Sequence, residues 1–274
     1  MQCFKNAEEI DGLSVLDRAF HYGDGCFTTA RIVNNQIELE ARHQARLVDA
    51  VQRLSLSVNL DLIKHSLQKL QQQHVMLNGT LKVLISRGEG QRGYAIPHHP
   101  ADVYLFYYPQ NCAAFEYQTL KVSGLLKTQM GLSMPSLVGL KSLNRLEQVL
   151  LKNEALEQGW NEALVSDVQG YVVEGVSSNC FIRLNDTWIS PELGYNGVHG
   201  VMRAEILARM QGAGISCQLR RIEVQALAQM QSLFFCNALQ AMSLVNQFHS
   251  RPLAVQPCIE LFETLQLHQM HDYV

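Results

Sequence analysis

No apolar run in the sequence approaches the roughly 18 residues that a membrane-spanning helix needs. The N-terminal Met1-Gln2-Cys3-Phe4-Lys5 lacks the apolar core and cleavage site of a secretory leader, so secretion is not expected. Paired cysteines are missing as well. The seven thiols (Cys3, Cys26, Cys112, Cys180, Cys217, Cys236, Cys258) are scattered, odd in number and without a C-x-x-C pair. That pattern points to reduced thiols in a cytoplasm rather than to a disulfide framework or a zinc site. The ten histidines form no recognised metal motif, and a metal reading of His268 and His271, close to the C-terminus, is weak. Excess positive charge is also lacking: the formal net charge is -3. There is thus no basic field for nucleic acid and no polybasic block for a membrane surface. Internal repeats and low-complexity runs are absent. What is present is 47% hydrophobic content over 274 residues, enough for one large or two medium cores.

Along the chain, the first half reads as strands with two helices between them, an α+β layer. Residues 26–33 alternate as a strand, Asn34-Asn35 supply a hairpin turn, and 36–38 begin the return strand. Phe27, Thr29 and Arg31 share one face of that strand, which either lines a cleft or meets solvent. Residues 40–54 read as a helix with Leu47, Ala50, Val51 and Leu54 as its apolar stripe. Arg46 borders the stripe, either exposed or reaching inward to an anion. A second helix carries Leu60, Ile63, Leu67 and Leu70, and residues 81–86 and 103–108 read as strands. Residues 87–94 contain glycines but no GK[ST] ending and no following helix, which excludes a P-loop. They are read as a mobile hairpin loop carrying Arg92 and Tyr94, with Arg92 open to a substrate carboxylate or to solvent. Residues 109–115 interrupt the pattern and mark a domain boundary.

The second half centres on Lys141. It follows a Pro- and Gly-punctuated segment, and after it Leu143, Leu146, Leu150 and Leu151 keep helical spacing up to Gly159. Two readings stay open on these residues alone: a surface lysine with its stem along a Leu-rich patch, or an amine in apolar surroundings that loses its proton and acts as a nucleophile. Further on, Glu174 ends a strand and precedes the small residues Gly175, Ser177 and Ser178, an arrangement suited to a buried polar contact. Gly200, Val201 and Met202 open a helix through Ile206 and Leu207, and helix N-termini seat anions. A buried strand ends at Cys236, followed by the polar loop from Asn237 to Gln240. An imine-forming lysine, a carboxylate, an arginine and a helix N-terminus together make pyridoxal-phosphate chemistry possible.

Five stretches carry a resemblance: residues 22–31, Arg46-Leu47, 141–145, 174–179 and 200–203. With them the chain resembles the fold type IV pyridoxal-phosphate enzymes, the group of branched-chain and D-amino-acid aminotransferases and aminodeoxychorismate lyases. Residues 23–31 and 140–150 are most similar to the lyases of bacterial folate synthesis. The resemblance implies an α+β fold of two domains: a smaller N-terminal α/β sandwich (1–110), a connection (111–129), and a larger C-terminal cofactor-binding domain with a β-barrel-like core (130–274). It implies pyridoxal 5'-phosphate as cofactor, with Lys141 the imine lysine and Glu174 the partner of the pyridine nitrogen. Arg46 would bind the phosphate, helped by Ser177, Val201, Met202 and Asn237; Asn179 would complete the cofactor set. Thr29 would be catalytic beside Lys141, and Arg31 and Arg92 would meet the substrate. The implied reaction converts 4-amino-4-deoxychorismate to 4-aminobenzoate and pyruvate, in a cytoplasmic homodimer without a metal. The alternative is an aminotransferase on the same fold. Many of those carry a tyrosine where this chain has Leu146, which counts against a branched-chain aminotransferase.

Overall fold

A computed structural model describes residues 1–111 and 115–270. Cys112, His271 and part of the boundary read at 109–115 lie outside the described residues. The chain divides into two compact units, one of 1–111 with Leu140–Asn144 and one of 115–139 with 145–270.

The first unit contains β1 (Gln2–Lys5), β2 (Glu8–Glu9), α1 (Arg18–Tyr22), β3 (Gly25–Val33), β4 (Gln36–Ile37), α2 (Glu40–Arg53), α3 (Asp61–Gln73), β5 (Gly79–Ser86) and β6 (Asp102–Pro109). Its strands form one antiparallel sheet in the order β2-β1-β6-β5-β3-β4. Alternation along the strands makes two different faces. Cys26, Ile32, Leu81, Val83, Ile85, Val103 and Leu105 join Leu47, Ala50 and Leu70 of the helices in one core. The register puts Phe27, Thr29, Arg31, Lys82, Leu84, Tyr104 and Phe106 on the other face. The expected strand, turn and helix divisions through residue 108 are all found, within a residue or two at the ends.

The second unit contains β7 (Gln118–Leu120), α4 (Leu146–Glu157), β8 (Leu164–Ser166), β9 (Val172–Gly175), β10 (Asn179–Leu184), β11 (Thr187–Pro191), α5 (Val201–Gly212), β12 (Cys217–Arg220), β13 (Ser232–Asn237), β14 (Gln240–Val245), β15 (Gln247–Phe248), β16 (Arg251–Pro252) and α6 (Gln256–Thr264). Six strands run in the order β12-β11-β10-β13-β14-β7, with β11/β12 and β14/β7 parallel. Backbone bridges carry the two ends of that sheet onto the β8–β9 hairpin. Leu164 pairs with Leu125 just after β7, and Tyr171 pairs with Glu223 just after β12. The α+β class is thereby observed, and the second unit has the barrel-like closure that removes open sheet edges. Inside it lie Leu164, Val172, Ile182, Ile189, Leu233, Phe235 and Val245.

The units differ from the expected divisions in two places. Gln118–Leu120, expected inside the connection, is a strand of the second unit's sheet, and Leu140–Asn144, expected inside the C-terminal domain, belongs to the first unit. The helix after Lys141 also starts later than the leucine spacing suggests. Leu143 is not yet helical: its N–H donates to Gly25 C=O at 3.1 Å, and α4 begins at Leu146. The buried face of α4 is Leu151 and Ala155, while Leu146 and Leu150 are exposed. Among the described residues no helix is long and apolar enough to cross a membrane.

Candidate active site

In the first unit, Lys141 is positioned by the start of β3. Phe27 N–H donates to Lys141 C=O at 3.0 Å and Cys26 bridges Ser142 in antiparallel fashion, so Leu140–Asn144 lies along β3 as a short extra strand. Two glycines permit this. Gly23 caps α1 in the left-handed region (φ +63°), and its C=O accepts from Asn144 Nδ2 at 3.1 Å. A Cβ on Gly25 would stand 2.1 Å from Ile85 O and 2.9 Å from Leu143 Cδ1. Lys141 Nζ lies 4.8 Å from the centroid of the Phe27 ring, cation–π range for an ammonium and an apolar wall for an amine.

Thr29 is half-buried on the same sheet face, across from Lys82. Arg31 is also on that face, but its Nε forms a buried ion pair with Glu38 at 3.2 Å. Arg92 is exposed. The loop that carries it is tied to α1 by Gly93: Arg18 Nη1 donates to Gly93 C=O at 2.9 Å, and Gly93 N–H donates to Tyr22 Oη at 3.0 Å. Its base is anchored by Arg87, whose Nε donates to Asp24 at 2.9 Å while Arg18 Nε holds the same carboxylate at 2.8 Å.

Arg46 points to the core side of β3. Its Nη1 is 3.5 Å from Thr28 Oγ1, and Thr28 Oγ1 is 2.6 Å from His43 Nδ1. Burial pulls the His43 pKa down to about 3, with the Arg46 charge adding to the effect. A neutral imidazole accepting at Nδ1 makes the Thr28 hydroxyl its donor and turns the hydroxyl's lone pairs toward Arg46. Burial also lowers the Arg46 pKa to about 10, which leaves the guanidinium charged at neutral pH.

In the second unit, Glu174 is buried at the end of β9. Its Oε2 accepts from Val198 N–H at 2.9 Å and from Asn179 Nδ2 at 3.3 Å, and Asn179 Nδ2 also reaches Val198 C=O at 2.9 Å. Gly200 has no room for a side chain, since a Cβ there would lie 1.8 Å from Asn179 Oδ1. The Glu174 charge also reaches Arg145, where it opposes the lowering of that arginine's pKa by burial. Val201 and Met202 are the first two residues of α5, so their N–H groups have no intrahelical acceptor.

Ser177 and Asn237 have work within the scaffold. Ser177 donates to Glu162 from its backbone N–H at 3.3 Å and from Oγ at 2.7 Å. Asn237 Nδ2 donates to Ser178 Oγ at 3.1 Å, and its Oδ1 accepts from Leu239 and Gln240 N–H, closing the β13–β14 turn. Glu162 is a residue that sequence reasoning passed over. It is buried and accepts from Ala163, Val176 and Ser177 N–H and from the Ser177 and Ser178 hydroxyls. One available signal was a glutamate set directly against the apolar run Ala163-Leu164-Val165.

With this geometry in view, the chain was compared with known proteins. The model of the family described as amino-transferase class IV matches residues 25–248. The chain belongs to this family. A family relative, the aminodeoxychorismate lyase of Vibrio harveyi, is 29% identical over 84% of this chain and 85% of its own length. The D-alanine aminotransferase of Bacillus licheniformis is 24% identical over 81% and 78%. Among solved structures, the 4-amino-4-deoxychorismate lyase of Pseudomonas aeruginosa superposes with a TM-score of 0.86, 32% identity, and coverage of 96% of this chain and 98% of that one. The branched-chain aminotransferase of Escherichia coli reaches 0.85 at 18% identity, with 99% and 96% covered; that likeness is one of fold. The family's fold type IV architecture is therefore the fold of this chain.

Proposed function

We propose that the chain binds pyridoxal 5'-phosphate and converts 4-amino-4-deoxychorismate to 4-aminobenzoate and pyruvate. The observation that carries the reading is Glu174, a buried carboxylate whose Oε2 is fixed by Val198 N–H and Asn179, placed to answer a cationic ring nitrogen. The likeness to two aminodeoxychorismate lyases, at 29% and 32% identity, supports the choice of reaction.

The donor set fits the cofactor. Lys141 would hold its aldehyde carbon and Glu174 its ring nitrogen; Arg46 and the first-turn N–H groups of Val201 and Met202 would hold its phosphate. When bound, the cofactor supplies an electron sink for charge left by breaking a bond beside the substrate nitrogen. Lys141 Nζ takes the proton from C4 of the substrate. The C3–O bond then breaks, the enolpyruvyl group leaves, and the ring becomes aromatic. That proton passes to the methylene carbon of the departing group, which is released as pyruvate. Lys141, or the Thr29 hydroxyl on the same sheet face as Phe27, delivers it. Asn179 is a positioning residue that acts through Glu174. Ser177 and Asn237 act by shaping the turn that follows Glu174, with Arg92 at the substrate's entrance.

The reading extends to a homodimer in the cytoplasm that takes a small-molecule substrate. Exposed Leu146, Val149 and Leu150 on α4 support a partner surface, and six free cysteines among the described residues support a reducing compartment. The test supplies 4-amino-4-deoxychorismate to the cofactor-loaded protein. Equal amounts of 4-aminobenzoate and pyruvate are expected, and none from Lys141→Ala. Amino-group transfer from D- or branched-chain amino acids to a keto acid, without pyruvate release from the chorismate compound, overturns the lyase in favour of an aminotransferase.

A further inference from the structure

Thr28 and His43 take no part in the chemistry above, yet both are buried against the arginine that does. Register sets Thr28 opposite Val83 of β5, on the sheet face that packs under α2. His43 and Arg46 stand one turn apart on α2 and so share the helix face that meets it. The Thr28 Oγ1 atom lies between them, 2.6 Å from His43 Nδ1 and 3.5 Å from Arg46 Nη1.

Packing alone does not fix these groups. A cavity of about 50 Å³ lies beside them, lined by Thr28, His43, Leu47, Leu81 and Val83 among others, so the side chains have space to turn. Hydrogen bonds decide the orientation instead. A hydroxyl has one proton to give and two lone pairs. With the proton given to His43 Nδ1, the Thr28 oxygen meets Arg46 as an acceptor. A charged imidazole would donate at Nδ1 and turn the threonine proton toward the guanidinium. Burial and the Arg46 charge oppose that form and pull the His43 pKa down to about 3.

The consequence falls on Arg46. Its donors form a planar fork, and an arginine side chain has much rotamer freedom to lose before that fork can grip an anion. An acceptor that pins one Nη atom settles the plane of the fork beforehand. We propose that Thr28 and His43 are positioning residues of the cofactor site, holding the Arg46 guanidinium in the orientation from which its fork meets the cofactor phosphate. This rests on the assignment of Arg46 to that phosphate made above.

The experiment frees the full-length protein of cofactor and titrates it with pyridoxal 5'-phosphate and with pyridoxal, followed by absorbance. The two ligands share the aldehyde and the ring nitrogen, so the ratio of their affinities reads the phosphate contact alone. Arg46→Ala should lower that ratio roughly a hundredfold, and Thr28→Val or His43→Leu roughly threefold to tenfold, with pyridoxal itself changed less than about twofold. Thr28→Ser keeps the hydroxyl and His43→Asn keeps an acceptor, and each should restore the ratio to within about twofold. In an Arg46→Ala background, Thr28→Val should cost nothing further. Should Thr28→Val fail to fold, His43→Leu reads the same contact from α2. An unchanged ratio in Thr28→Val and His43→Leu overturns the proposal while leaving Arg46 its phosphate. A loss shared equally by both ligands, or one that persists in the Arg46→Ala background, overturns it as well, because packing would then be the cause. If Arg46→Ala leaves the ratio untouched, the assignment of Arg46 falls and takes the proposal with it. A wild type that binds neither ligand ends the cofactor reading and this one together.

Discussion

In the first unit Asp24 sits between two buried guanidiniums, Arg18 at 2.8 Å and Arg87 at 2.9 Å. In the second, Glu162 and Glu174 are held by backbone N–H groups, serine hydroxyls and one carboxamide. The difference decides what each acid is able to do. A carboxylate between two cations has its charge cancelled, and it ties three segments together. One met by backbone N–H groups and hydroxyls keeps its charge, and that of Glu174 acts on Arg145 as well. Glu162 and Glu174 differ again between themselves: donors crowd both oxygens of Glu162, whereas Val198 N–H and Asn179 meet Glu174 at Oε2.

The comparison breaks first, if it breaks, at Asp24. Asp24→Asn leaves Arg18 and Arg87 buried without their acid, and a loss of about 3–5 kcal/mol is expected in urea unfolding. A loss under about 1 kcal/mol would mean that the pair does not hold the first unit. Next comes Glu162→Gln, which turns an amide NH2 toward N–H donors and should cost about 3 kcal/mol of stability. Glu174→Gln should do the opposite: a fall in 4-aminobenzoate formation of roughly 10²-fold, with the urea midpoint nearly unchanged. If Glu174→Gln unfolds the protein while Glu162→Gln stops the reaction, the two roles are reversed.

The smallest effect concerns His43, which is buried neutral rather than charged. Its folded pKa, about 3, lies below the ordinary value of 6.5, so the unfolded chain takes up the proton more readily. Its contribution is complete above pH 6.5 and is lost as pH falls toward 3. At pH 5 the loss is about 2 kcal/mol. Urea titrations at pH 7.5 and 5 should show that drop in the wild type and a flatter response in His43→Gln.

Much of this was legible before any coordinates. Period-two alternation in residues 26–33 and the stripe of Leu47 and Ala50 survive folding because each element buries one face against its neighbour. The Arg31–Glu38 pair was within reach too, since the two residues flank the β3–β4 turn and Glu38 N–H donates to Arg31 C=O. Glu162 was not: its partners come from 14 to 16 residues later, brought back by the β8–β9 hairpin. Leu143 misled, because spacing says nothing of a strand pairing with Gly25, more than a hundred residues away.

The five residues from Leu140 to Asn144 belong to the first unit yet are written inside the stretch that encodes the second. A fragment ending at residue 111 would therefore lack the backbone partners of Gly25 and Phe27 and would present a raw strand edge. Splitting the gene anywhere between β3 and Leu140, or moving only one of those portions onto another scaffold, parts the amine at Lys141 from the strand that aims it.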